Sequence, residues 1–175
     1  MKRTIILMSL LAAGTAFAQQ AEIDKALAAA PDQLKKDATV IKWKSDYTYD
    51  TLKKGTNRLV CYDESGLPGE PAYKVECTSV GNLDRAAQNL KFEAMGAGKQ
   101  AALDAAEKDG TRVKPEFGSV WYHLMGDPAN PRKHMTIAVP MATEKTLGLP
   151  EKGTNGGVWI MNAGTTTAHL MTPGE

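Results

Sequence analysis

The stretch "GSVWYHLMGDPANPRKHMTIAVP" (residues 118–140) determines the expected fold, because two strand-like segments in it are separated by a short run of turn formers. The first segment covers residues 118–125 and the second covers residues 134–140. Both segments contain β-branched and large apolar residues, whereas Gly, Asp, Pro and Asn lie between them. A connection this short favours antiparallel pairing, since parallel strands need longer crossovers.

Further strand-like segments lie on both sides of this stretch, and each is short and bounded by turn formers. They cover residues 38–43, 58–62, 72–80, 156–162 and 168–171. A short helix is expected over residues 21–31, where a proline ends it. The order of helix, strands, helix and strands is typical of an α+β domain, with helices packed on one face of a mainly antiparallel sheet.

One long helical stretch separates the early strands from the late ones. From Asn82 to Gly110, apolar residues recur at spacings of three and four. Gly96 and Gly98 weaken the middle of this stretch by ~1 kcal/mol each relative to alanine. The segment therefore forms either one helix with a soft centre or two helices.

The first eighteen residues have the features of a secretory signal peptide. Lys2 and Arg3 precede an apolar run, and the triplet Ala-Phe-Ala at 16–18 has small residues at both positions that direct cleavage. The apolar run is shorter than the ~20 residues that span a bilayer, and no later segment reaches that length. We therefore expect a single exported domain over residues 19–175, periplasmic or secreted, with no transmembrane segment after cleavage.

The charges of the chain are balanced and interspersed. The formal net charge is +1, and removal of Lys2 and Arg3 with the signal would make it −1. Nucleic acid is not an expected partner, because phosphate binding needs a basic patch, and a polybasic membrane tether is not expected either. The expected partner is an unidentified small molecule or a protein of the cell envelope.

The two cysteines, Cys61 and Cys77, are expected to form a disulfide. An even number of cysteines in an oxidising compartment favours a bridge over free thiols, and this pair has no partners at zinc-like spacing. The segment "DESGLPGEP" (63–71) between them is rich in turn formers and is expected to form an exposed loop. Closing a loop of this length is worth ~3 kcal/mol in the chain-entropy model.

The tetrapeptide KGTN occurs at 54–57 and at 152–155, and it is most simply a turn before a strand. Three longer segments resemble parts of a family of small exported bacterial proteins whose function is not established. They are "LKKGTNRLVCYDE" (52–64), "YHLMGDP" (122–128) and "GGVWIMNAGTTTAHLMTP" (156–173). The resemblance implies a shared architecture and an exported location, and it brings no catalytic residues to this chain.

The three histidines of the chain each lie close to a methionine. The tripeptide His-Leu-Met occurs at 123–125 and at 169–171, and His134 directly precedes another methionine. Side chains two residues apart in a strand share a face, so each His-x-Met pair points one way. Imidazole and thioether groups suit copper, especially Cu(I). If the two strands are neighbours, a copper site is expected from these ligands: His123, Met125, His169 and Met171, with His134 as a fifth or a replacement.

The simpler hypothesis is that both residue types occur in the strands of an ordinary core. Methionine is a common core filler, and no zinc-binding spacing is present. On that hypothesis most of the methionines are buried, at least one histidine is exposed at a strand end, and no cofactor is bound.

No motif of nucleophilic catalysis is present, since Ser119 lacks the G-x-S-x-G context. No catalytic residue is therefore assigned from the sequence. The leading hypothesis is a non-catalytic exported domain that binds a small molecule or an envelope protein. The alternatives are a periplasmic copper-binding protein and a hydrolase-type enzyme, which would need a cleft that joins a histidine to a carboxylate.

Overall fold

The computed structural model describes residues 16–154 and 156–172, and these form an α+β fold around one eight-stranded sheet. The strands are β1 (Thr39–Trp43), β2 (Tyr49–Lys53), β3 (Leu59–Asp63), β4 (Lys74–Ser79), β5 (Val120–Asp127), β6 (Asn130–Ala138), β7 (Trp159–Met161) and β8 (His169–Met171). Their order across the sheet is β2-β1-β3-β4-β5-β6-β8-β7. The α+β class is confirmed, and the described sheet is mixed, because β1 and β3 run parallel while the other pairs are antiparallel.

The first KGTN segment explains the parallel pair. After β2 the chain passes the start of β1, where the backbone N–H groups of Thr56 and Asn57 donate to the carbonyl oxygen of Asp37. A Cβ at Gly55 would lie 2.3 Å from that oxygen, so only glycine fits this close approach. The chain thereby crosses to the other side of β1 and enters β3 in the same direction as β1.

The described helices are short. They are α1 (residues 16–26), α2 (Asp32–Lys35), α3 (Leu83–Glu93), α4 (Lys99–Asp109) and α5 (Glu144–Leu147), with 3₁₀ turns at Leu27–Ala29, Val80–Asn82 and Gly96–Gly98. The expectation of one long helix is wrong, and the two-helix alternative holds. The break falls at Gly96, whose φ of +53° ends the α-helical path.

Helices cover both faces of the sheet, not one face as expected. The α1 face packs Ile23 and Ala26 against Val40 and the two cysteines. The α3 face packs the helix against β1, β3, β5 and β6, and its buried side chains are Ile41, Trp43, Val60, Tyr62, Leu83, Ala86, Leu90, Trp121 and Ala138. A smaller cluster around Ile160 lies beneath β7 and β8.

The structure joins Cys61 to Cys77 by a disulfide, as expected. The two residues face each other across the antiparallel pair β3–β4, and both are fully buried. The intervening loop is only partly exposed, because Glu64 turns into the interior and is 2 % exposed. The bridge therefore fixes the position of β4, whose opposite face carries part of the candidate site.

The expected signal peptide falls largely outside the described residues. Residues 1–15 are not described, and residues 16–18 are exposed and begin the described part of α1. Over 16–154 and 156–172, no helix combines the length and the apolar character needed to cross a bilayer.

Candidate functional site

A cleft of about 280 Å³ lies between α3 and the face of the sheet formed by β4, β5, β6 and β8. All three histidines line it. Its middle is formed by Trp121, which is 7 % exposed, together with Thr136 and Ala138. The sheet therefore gathers, in one depression, residues that are far apart in the sequence.

The strand register explains why the histidines share a face. His123 on β5 pairs directly with His134 on β6, and Ala138 on β6 pairs with His169 on β8. His134 and Ala138 are four residues apart, so their side chains point to the same side of the sheet. The same spacing places His169 about 13 Å further along the strand direction than His123, at a rise of ~3.3 Å per residue.

The expected four-ligand copper site is not assembled, because the two His-Leu-Met strands are not neighbours. Strand β6 lies between β5 and β8. Met125 lines the cleft near His123 and His134, whereas Met171 pairs with Trp159 on the edge strand and does not line it. Within the described ranges, no group of three or more His, Cys, Asp or Glu side chains is placed to hold a metal ion.

The expectation of buried methionines is wrong. Six methionines lie in the described residues, and none of them belongs to the buried core. Met95, Met141 and Met161 are exposed, and the other three are half-buried. The histidines are all half-buried, so none is exposed at a strand end. The core is filled mainly by alanine, valine, isoleucine and aromatic residues, which leaves Met125 available to the cleft.

Glu76 orients His123 at one end of the cleft. These residues pair across β4 and β5, and His123 Nδ1 lies 2.8 Å from Glu76 Oε1. Burial opposes ionisation of Glu76, but His123 and Lys74 outweigh burial and lower its pKa to about 2. An ionised Glu76 accepts the Nδ1 proton, so Nε2 of the neutral imidazole is the basic nitrogen. The sequence gave no reason to select Glu76, although a carboxylate in the apolar strand "KVEC" was an available signal.

Lys74 anchors Glu76 within a buried charged cluster. Its ammonium group lies 2.8 Å from Glu64, 2.8 Å from Glu70 and 3.1 Å from Glu76. Burial raises the pKa of Glu64 well above its ordinary value, and the charge of Glu76 adds to this effect. Burial alone would lower the pKa of Lys74, but the three carboxyl groups raise it, so Lys74 is protonated. Charge on Glu76 is thus favoured at the expense of charge on Glu64.

Arg85 forms the opposite end of the cleft and is only 4 % exposed. Its guanidinium donates to the carbonyl oxygen of Val113, to Thr166 Oγ1 at 3.0 Å and to Thr167 Oγ1 at 2.7 Å. Burial, and then the neighbouring Arg112, lower the pKa of Arg85 to about 9. Arg85 is therefore still mainly a cation at neutral pH, although all of its direct hydrogen-bond partners in the described residues are neutral oxygens.

His169 lies near Arg85 and is held by its own backbone. Its Nδ1 lies 2.8 Å from the carbonyl oxygen of Thr167, to which it donates. This bond leaves Nε2 as the acceptor nitrogen. Burial lowers the pKa of His169 despite the bond to Thr167, and nearby His123 lowers it further. Sequence reasoning identified His169 but missed Arg85 and Thr167, which no local motif connects to it.

Comparison with known proteins gives no family for this chain: no family model, no curated protein and no solved structure matches it. The functional argument therefore depends on the cleft alone.

Proposed function

We propose that the protein is a non-catalytic binding domain that takes a small anionic ligand into the cleft between α3 and the sheet. The burial of Arg85 carries this proposal. A buried charge is costly unless an opposite charge or strong hydrogen bonds compensate it, and the oxygens around Arg85 are uncharged. A carboxylate or phosphate at this end of the cleft would supply the missing charge and match the planar guanidinium.

The remainder of the cleft limits the size and shape of the ligand. A volume of about 280 Å³ is at the lower end for small-molecule sites, so the ligand is small. Trp121 offers an apolar surface between the two ends. At the far end, ionised Glu76 and His123 favour a hydrogen-bond donor. The ligand class is thus a compact organic acid that carries a donor group away from its anionic group.

Binding of simple anions tests the proposal directly. Calorimetry and ¹H–¹⁵N NMR with succinate, acetate and inorganic phosphate should detect binding that shifts the resonances of His169 and Thr167. Arg85→Met should remove it, while Thr167→Val should weaken it without removing the charge. Arg112→Gln is the matched control, because Arg112 is equally buried and bonds Gln88 and Asn89 without lining the cleft. Absence of binding in the folded wild type, or equal loss in the control, contradicts the proposal.

We also propose that the protein acts outside the cytoplasm, as a periplasmic or secreted member of the exported family that its sequence resembles. The signal-like residues 1–18 and the disulfide support this location. Intact-mass analysis of the protein from the expressing cell's envelope or medium should find a chain that begins at Gln19. A chain that retains residues 1–18 would contradict the proposal.

A hydrolase-type activity is a second candidate, and the Glu76–His123 pair favours it. A carboxylate that fixes the tautomer of an imidazole in a cleft is the arrangement of a general base. Purified protein would be assayed with p-nitrophenyl acetate and p-nitrophenyl phosphate. Turnover that His123→Gln removes and His169→Gln preserves would favour the enzyme, whereas no turnover in the wild type would favour binding alone.

A further inference from the structure

The end of the cleft that lies away from Arg85 contains two imidazoles and a thioether on one β-hairpin. His123 and His134 are directly paired across β5 and β6, and their ring centroids are 5.7 Å apart with an interplanar angle of 29°. Met125 is two residues from His123 on the same strand, so its side chain shares their face. All three line the same cleft, and Met125 and His134 also line a second depression beside it.

The spacing of the two rings suits ligands of one ion. A metal-bound imidazole nitrogen lies about 2.0 Å from the ion, so each ring centroid lies roughly 3 Å from it. Two rings with centroids 5.7 Å apart therefore reach a common ion between them without any movement of the strands. The hairpin is paired over its whole length, from Val120 with Ile137 to Asp127 with Asn130, which fixes the two backbones relative to each other.

Glu76 gives His123 the environment of a metal ligand. Metal-binding histidines usually donate their second ring N–H to a carboxylate or a backbone carbonyl, which fixes the tautomer and raises the basicity of the ligating nitrogen. His123 makes this bond to Glu76, at 2.8 Å. Both side chains are largely buried, with exposed fractions of 15 % for His123 and 7 % for Glu76. This pairing fits a structural polar group less well than a ligand, because Nε2 still points into a cleft.

The donor set and the surrounding charges favour a soft, singly charged ion. Thioether sulfur selects Cu(I) over harder divalent ions. Arg132 pairs with Met125 across the hairpin, and Lys133 lies beside His134 in the second depression. These two cations raise the electrostatic cost of a divalent ion more than that of a monovalent one. An exported protein also meets copper outside the reducing cytosol.

We propose that His123, His134 and Met125 form a Cu(I) site at this end of the cleft, with Glu76 as the group that orients His123. His169 and Met171 do not take part, because the register places His169 at the Arg85 end and Met171 outside the cleft. The site is therefore smaller than the one expected from the two His-Leu-Met tripeptides, and it is independent of the anionic ligand proposed above.

The test is anaerobic titration of the disulfide-intact protein with Cu(I) against a competing chelator, with ascorbate as reductant, and with Ag(I) as an air-stable probe. One ion should bind per chain, with a dissociation constant below about 1 µM. Met125→Leu and His134→Asn should each weaken binding at least tenfold, and Glu76→Gln should weaken it by about 10–100-fold, as loss of an outer-shell partner does.

Matched controls separate this site from its surroundings. Met135 pairs with Tyr122 and so points to the opposite face of the sheet, which makes Met135→Leu the control for Met125→Leu. His169→Asn is the control for His134→Asn, and both controls should bind Cu(I) like the wild type. Retained binding in Arg85→Met would keep the copper site even if anion binding failed. No binding tighter than about 1 µM, or equal effects of the variants and their controls, would overturn the proposal.

Discussion

Replacing Glu76 with glutamine should destabilise the protein in a pH-dependent manner. Glutamine resembles the protonated carboxyl group, so the substitution removes the contribution of the charged form alone. The pKa of Glu76 falls from 4.5 in the unfolded chain to about 2 in the fold. Each pKa unit corresponds to about 1.4 kcal/mol, so ionised Glu76 contributes up to about 3 kcal/mol at pH 7.

The sign of this contribution follows from the lowered pKa. The stabilisation is fully present above pH 4.5 and is lost as the pH falls through about 2, and at pH 3 linkage leaves about 1.4 kcal/mol. Loss of the Glu76 charge also lowers the pKa of Glu64, whose ionisation beside Lys74 offsets part of the cost. The expected loss at pH 7 is therefore about 2–3 kcal/mol, and less than half of that at pH 3.

Urea unfolding of wild type and Glu76→Gln at pH 7 and pH 3 measures both quantities. Glu22→Gln is the control, because Glu22 forms an ion pair with Lys42 in which both side chains are about half exposed. Its loss should stay below about 1 kcal/mol. A loss below about 0.5 kcal/mol for Glu76→Gln at pH 7, or an equal loss at both pH values, would refute the reasoning that His123 and Lys74 hold this carboxylate charged.

Three further predictions concern the scaffold around the cleft. Reduction of the Cys61–Cys77 bridge, or alanine at both positions, should lower the free energy of unfolding by ~3 kcal/mol; quantitative thiol labelling of the native oxidised protein would contradict the bridge. Because burial lowers the pKa of His169, its folded form resists protonation, and stability should decrease as the pH falls below 6.5; an NMR midpoint above 6.5 would contradict this. Leu90→Ala should cost about 2–5 kcal/mol in urea unfolding, because Leu90 is 3 % exposed, whereas Met95→Ala at an exposed position should stay within about 0.5 kcal/mol.

Local patterns predicted the elements whose apolar residues are buried. The hairpin expected within 118–140 is present as β5 and β6, and β6 begins earlier than expected because Asp127 already pairs with Asn130. Strand β2 was missed, since three of its five residues are exposed and its composition is polar. An edge strand needs one neighbour and buries little, so neither its period nor its hydrophobicity distinguishes it from a loop.

The strand order was beyond reach of the sequence, and it decides the composition of the site. Each His-x-Met pair predicts only that its own two side chains share a face. Whether separate strands present their histidines to one cleft depends on register, and a slip of one residue would send one of them to the α1 face. The observed register puts His123 beside His134 and moves His169 along the sheet. The repeated tripeptide was therefore a weaker guide to the site than the lone His134, which no tripeptide contains.

The two groups that give the cleft its charge, Glu76 and Arg85, show why function is harder to predict than fold. Each lies in a segment whose other residues already specify the element: Glu76 between Val75 and Cys77 in a buried strand, and Arg85 on the helix that packs Leu83 against the sheet. A charged residue in such a position is destabilising unless the tertiary structure supplies partners. Glu76 has His123 and Lys74, whereas Arg85 has only neutral oxygens within the described residues. The imbalance at Arg85 becomes visible only when the helix is docked on the sheet, and it is this imbalance that an anionic ligand would correct.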